Sequence, residues 1–77
     1  MNELEFITYI KEKRKEKFIK LKDMAKLLNV SISYYSKIEN NKIHLSFLMI
    51  KGISEILDID LNIIKNFDIY GHIVFYD

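Results

Sequence analysis

An all-α chain of five short helices, followed by a short C-terminal strand or extended tail, is the architecture this sequence predicts. Three observations carry that expectation. Apolar residues recur at three- and four-residue spacing through most of the chain. Residues that cap helices well, Ser31, Ser46 and Asp60, stand just ahead of three of the periodic stretches. No proline interrupts the pattern, and the 77 residues include only two glycines, Gly52 and Gly71.

The first helix is expected over residues 3 to 17, with Leu4, Ile7, Ile10 and Arg14 on one face. A second fits Leu21 to Leu28, with Met24, Leu27 and Leu28 turned inward and only Lys20 at its weakly marked start. Asn29 suits a left-handed C-cap, because Asn tolerates positive φ better than most residues. Ser31 then caps a third helix over about residues 32 to 40, which Asn40-Asn41 ends in the same way. Ser46 caps a fourth helix, Phe47 to Leu57, with Phe47, Ile50, Ile53, Ser54 and Leu57 at core spacing. Asp60 caps a short fifth, Leu61 to about Asn66. The β-branched and aromatic run Ile73 to Tyr76, after Gly71, reads as the strand or tail.

Length allows one domain with a modest core, for which an obligate partner is a reasonable expectation. The 49% apolar content argues for a folded chain. Without cysteine, disulfides and thiolate metal sites are excluded. No apolar run approaches the roughly 20 residues of a membrane-spanning helix, and "MNELEFITYI" begins acidic, unlike a secretion signal. A cytoplasmic location is the expectation. Net charge is only +1, yet residues 1–42 hold ten basic and six acidic residues while residues 43–77 hold two and five. The halves therefore carry +4 and −3, a split that suggests a basic working face.

The gap between the second and third helices, Asn29 to Ser31, is short enough for a helix-turn-helix. Here the residues resemble a known family. "IKLKDMAKLLNVSISYYSKIENNK" and the following "SFLMIKGISEILDIDLNII" are similar to the Cro/repressor-type, or XRE-type, helix-turn-helix domain over residues 10–64. That resemblance implies a five-helix lambda-repressor-like fold. It further implies a sequence-specific DNA-binding transcriptional regulator, most simply a repressor. Asn29 and Asn41 stand where the family usually has glycine, and Asp58 replaces a third glycine. Leu45 takes a common proline position. Leu21 stands where many members carry a glutamine that touches DNA, which weakens that contact.

In this family the third helix lies in the major groove and the second crosses the backbone. The positions matching the base-reading slots are Ile32, Ser33 and Lys37, the last one turn beyond Ser33. Lys can reach guanine, Ser either base type, and Ile the thymine methyl. Tyr35 and Ile38 form the inward face. Ser31 is an N-cap in any reading and could also touch phosphate. Tyr34, at the groove margin, could bond a phosphate or simply pack. Lys20, Lys22 and Lys42 flank the two motif helices as phosphate contacts, and Asn40 matches a backbone-bonding position. Taken outside the motif, Lys37 would be an ordinary solvated lysine. Arg14 and Glu39 match two family positions that pair with each other; the bland reading is two separate surface charges. The run "KEKRKEK", residues 11 to 17, reads first as a solvated helix face.

His44 and His72 lack partners at metal-ligand spacing, and Gly-rich phosphate loops and nucleophile-base arrangements are absent. No enzyme, cofactor or metal site is expected, nor a small-molecule ligand. Membrane-surface binding through the first helix is disfavoured, since its apolar face is needed by the core. Residues 1–66 are therefore read as the DNA-binding domain and 67–77 as an apolar tail that joins two copies into a homodimer. Ile69, Tyr70, Ile73, Val74, Phe75 and Tyr76 are its expected interface. The tail folded back within one chain is the alternative. The competing functional reading is a protein-interaction module on the same fold, such as an antitoxin or a regulator-binding partner.

Overall fold

The computed structural model describes residues 3–67 and 73–75, with side-chain environments for residues 3–62. Among these residues the chain forms α1 (Glu3–Glu16), α2 (Leu21–Leu27), α3 (Ile32–Glu39) and α4 (Phe47–Leu57). A single 3-10 turn, Leu61–Ile63, leads into β1 (Ile64–Phe67), which pairs antiparallel with β2 (Ile73–Phe75). The register places Ile64 opposite Phe75, Asn66 opposite Val74 and Phe67 opposite Ile73, with an irregularity between Ile64 and Asn66.

Each helix begins where its chemistry allows. Glu3 and Glu5 lie in the first turn of α1 and Lys13, Arg14 and Lys15 in its last, complementing the helix dipole. Glu3 also fastens the start of α1 to the segment ahead of α4. Its Oε1 accepts from the Leu45 backbone N–H at 3.3 Å and lies 3.2 Å from His44 Nδ1. Ser31 and Ser46 Oγ accept the N–H groups of Tyr34 and Met49, satisfying donors the helices leave open.

All four helices end alike. A residue with left-handed backbone follows the last turn: Phe18, Asn29, Asn41 and Asp58, at φ 58°, 58°, 55° and 56°. The next residue then donates back five positions, in Ile19→Arg14, Val30→Ala25, Lys42→Lys37 and Ile59→Ser54, at 2.8 to 3.1 Å. This is the common left-handed helix stop, with an apolar residue folding inward just after it at Ile19, Val30 and Ile59.

The core lies where α1, α3 and α4 meet, with α2 packed on α3. Phe6, Ile7, Ile10, Met24, Ala25, Tyr35, Ile38, Leu45, Ile50, Ile53, Leu57 and Ile59 build it. Each large side chain removed from water there is worth roughly 1.5–3 kcal/mol. At Gly52 the close approach is to Leu28: a Cβ there would stand 2.9 Å from Leu28 Cδ2.

Four sequence expectations need correction. Leu4, Leu27 and Phe47, expected in the core, are exposed, and Phe6 takes the buried place in α1. These residues sit beside the apolar stripe near helix ends, where the adjoining element no longer covers that flank. The expected fifth helix stops after one 3-10 turn. Asp60 does cap it, accepting from Asn62 N–H at 2.9 Å. The β-branched pair Ile63-Ile64 then favours extended backbone, and strand pairing with residues 73–75 supplies the hydrogen bonds a helix would have made.

Candidate nucleic-acid interface

The turn between α2 and α3 is set by two adjacent devices. Asn29 reverses the chain with its left-handed backbone. Ser31, at φ −70° and ψ 154°, starts the next helix and caps it. Only Val30 separates them, so the turn between α2 and α3 is tight. The buried face of α3 is Tyr35, Ile38 and Glu39. The opposite face presents Ile32, Ser33, Tyr34 and Lys37, all exposed. An Ile that is half exposed at the mouth of a well-packed helix has no core role, and a short polar residue and a lysine stand on the same side.

Arg14 reaches from α1 to hold this helix. Its Nε and Nη2 donate to Glu39 Oε2 and Oε1 at 2.7 and 2.9 Å, a two-pronged pair. Arg14 is 8% exposed and Glu39 5%. The third prong, Nη1, donates to the Ile19 carbonyl at 2.8 Å, so the same guanidinium also fixes the α1–α2 turn. The hydrogen bond to Glu39 outweighs burial and raises the Arg14 pKa further above its usual value. The guanidinium is therefore charged at any working pH. The fully buried Tyr35 ring lies beside this pair. Burial first, and Glu39 second, push its phenol above the usual tyrosine range.

Lys20, Lys22, Lys37 and Lys42 are exposed. Lys20 occupies the cap position of α2 without a side-chain cap bond, and Lys42 follows the left-handed stop of α3. Asn40 is exposed, but its amide is turned back on α3, donating to the Ser36 carbonyl at 2.9 Å and Ser36 Oγ at 3.2 Å. It must rotate to meet a phosphate. An open groove runs between α2 and α3, lined by Lys22, Lys26, Asn29, Ser31 and Ile32 among others. Lys26, which the sequence reading did not single out, lines the same groove. Its place four residues after Lys22, on the same helix face, was the available signal. Leu21, by contrast, packs against the core.

Of the expected interface residues in the tail, Ile69, Tyr70 and Tyr76 lie outside the described residues, as does His72. Ile73, Val74 and Phe75 are described as the backbone of β2. Groups of three or more His, Asp or Glu able to hold a metal ion do not occur among the described residues. No described helix is long and apolar enough to cross a membrane.

A capped helix held at a tight turn, with an outward face free of core duty, defines a helix-turn-helix protein. The chain belongs to the helix-turn-helix family, which matches it over residues 10–64. It is 43% identical over 56 residues to the ImmF control region 10 kDa protein of Bacillus phage phi105. That match covers 73% of this chain and 62% of the relative. No solved structure matches the chain significantly.

Proposed function

We propose that this chain is a sequence-specific, double-stranded-DNA-binding transcriptional regulator, a repressor of the cytoplasm, that reads the major groove with α3. The outward face of α3 is the observation that supports it: Ile32, Ser33 and Lys37 project from a helix that Arg14 clamps from behind. Such a clamp fixes the helix before DNA arrives, so little ordering cost remains for binding. In this reading Ile32, Ser33 and Lys37 meet base edges. Ser31, Tyr34, Asn40, Lys42, Lys20 and Lys22 meet phosphates, which position the protein and make its affinity salt-dependent. The control-region name of the phage relative is in keeping with a regulator.

The same reading makes the protein a homodimer, with residues 1–66 on DNA and 67–77 joining the copies. Two recognition helices would then meet successive major-groove faces roughly 34 Å apart. A two-stranded sheet is marginal alone. Among the described residues β2 pairs with β1 alone and is uncharged from Ile73 to Phe75, which would suit pairing with a second copy, whereas β1 carries a register irregularity that discourages it.

Selection of bound sequences from a random duplex pool tests the proposal, followed by titration of the selected site at two salt concentrations. A regulator gives a defined, two-fold-symmetric site and a steep salt dependence. Failure to bind any duplex at low salt would instead leave an interaction module, such as an antitoxin or a regulator-binding partner. The half-buried Leu21 and the near-neutral net charge are the features that favour that second reading.

A further inference from the structure

Three of the four left-handed helix stops use Asn or Asp, the residues that best tolerate positive φ after glycine. The fourth uses Phe18, at φ 58°, with 93% of its surface exposed. A bulky side chain is strained there, and an exposed ring gains nothing from the core. The strain is imposed from outside the residue. Phe18 N–H donates to the Lys15 carbonyl at 3.0 Å, Ile19 N–H to the Arg14 carbonyl at 3.1 Å, and Arg14 Nη1 to the Ile19 carbonyl at 2.8 Å. The turn is thus held rigidly, and the ring is held out from it.

The surroundings say what the ring meets. Lys15, Lys17, Lys20 and Lys22 are exposed on either side of it. Two acids stand in this stretch: Glu16, 3.8 Å from Lys13, and the exposed Asp23 in the first turn of α2. An apolar protein pocket closing over Phe18 would have to accommodate an excess of ammonium groups, four lysines against two acids. A nucleic-acid backbone supplies both needs, phosphates for the lysines and the apolar faces of deoxyribose for the ring. Phe18 also stands two residues ahead of Lys20, at the start of the helix that crosses the backbone in helix-turn-helix docking.

We infer that Phe18 is a DNA-contacting residue whose ring packs on the deoxyribose backbone at the margin of the site, between phosphates held by Lys17 and Lys20. The inference rests on the DNA-binding reading above. Its test compares full-length Phe18→Gly and Phe18→Ala with the parent, using thermal unfolding and fluorescence anisotropy on the selected duplex at several salt concentrations. Glycine relieves the strain and raises the Tm by a few degrees. Both variants bind roughly 5- to 10-fold more weakly at every salt concentration, as expected for loss of part of a buried aromatic surface. The slope of affinity against salt stays unchanged, because no charge is lost. Lys20→Ala, in contrast, lowers that slope. A glycine variant that is stabilised and binds like the parent would overturn the inference. So would one that is less stable than the parent, since the ring would then serve the fold. If the parent itself binds no duplex, it is the DNA-binding reading that fails.

Discussion

Arg14 and Glu39, 25 positions apart, join α1 to the end of the outward-facing α3 through two hydrogen bonds of 2.7 and 2.9 Å, almost wholly out of water. Arg14→Met should therefore cost about 3–5 kcal/mol, because Glu39 would be left buried without its counter-charge. Replacing both ends, Arg14→Met with Glu39→Leu, should recover much of the loss. Denaturant unfolding of the two single variants and the double variant gives the coupling directly, and purely additive effects would refute the pairing as an energetic unit.

Lys37 and Lys42 should separate base reading from backbone contact. Lys37→Ala is expected to cost roughly 1–3 kcal/mol on the selected site and to relax preference at one base pair. Lys42→Ala should weaken all sequences alike and lower the salt slope by about one. Indistinguishable behaviour of the two variants would show that the register of α3 on DNA is wrong.

Tyr35 sets an alkaline limit. Its phenol titrates above its ordinary value of 10.0 in the folded protein, because burial disfavours the phenolate. The unfolded chain therefore loses this proton first. The contribution to stability is complete below the unfolded pKa and declines as pH rises past it, by about 1.4 kcal/mol per pH unit. Tyr35→Phe should remove that part of the decline. Its hydroxyl is buried beside Glu39 without a partner in hydrogen-bonding geometry among the described residues, so the substitution should be within about 1 kcal/mol of neutral at pH 7. Urea unfolding of parent and variant between about pH 7 and 11, spanning the ordinary tyrosine value, measures both effects. Parallel curves would contradict the assignment.

A chain ending at Phe67 lacks β2 and tests the assembly. Light scattering should find the full chain dimeric and the shortened one a folded monomer that binds complete sites much more weakly. A shortened chain that remains dimeric would rule out the tail as the joining segment. One that unfolds would assign β2 to holding the fold of its own chain.

Gly52 predicts tolerance. Alanine there gains roughly 0.5–1 kcal/mol of helix preference. The added Cβ would meet the tip of Leu28, a half-buried and flexible side chain. The Tm of Gly52→Ala should stay within a few degrees of the parent, and a large loss would show that Leu28 is locked.

Much of this architecture is legible because the chain marks its turns locally. Asn29 with Ser31, and Asn41 with Ser46, announce helix ends through side chains that accept positive φ or cap an N-terminus. The outward mixture on α3 is equally readable, since Tyr35 and Ile38 leave the other face without a packing duty. What escaped depends on distant neighbours. Whether Leu4 or Phe6 is buried is decided by α3 and α4, not by spacing within α1. Ile63 and Ile64 look helical beside Leu61 until a strand ten residues further on competes for their backbone. Phe18 carries no sequence signal for left-handed backbone, because the hydrogen bonds around Arg14 impose that conformation.

The repeated helix stop also bears on how quickly the chain can find its fold. Each reversal is closed by a bond spanning only five positions, so four of them form without bringing together distant parts of the chain. Local contacts of this kind are associated with rapid folding. The Arg14–Glu39 bridge instead closes a loop of 25 positions, and such a contact is expected to form late, as α3 docks on α1. Arg14→Met should consequently accelerate unfolding while leaving the refolding rate nearly untouched, which stopped-flow kinetics would reveal as a shift in one limb of the chevron. Helix stops of this kind let the helices form early, and the buried ion pair is expected to set how long α3 stays docked on α1.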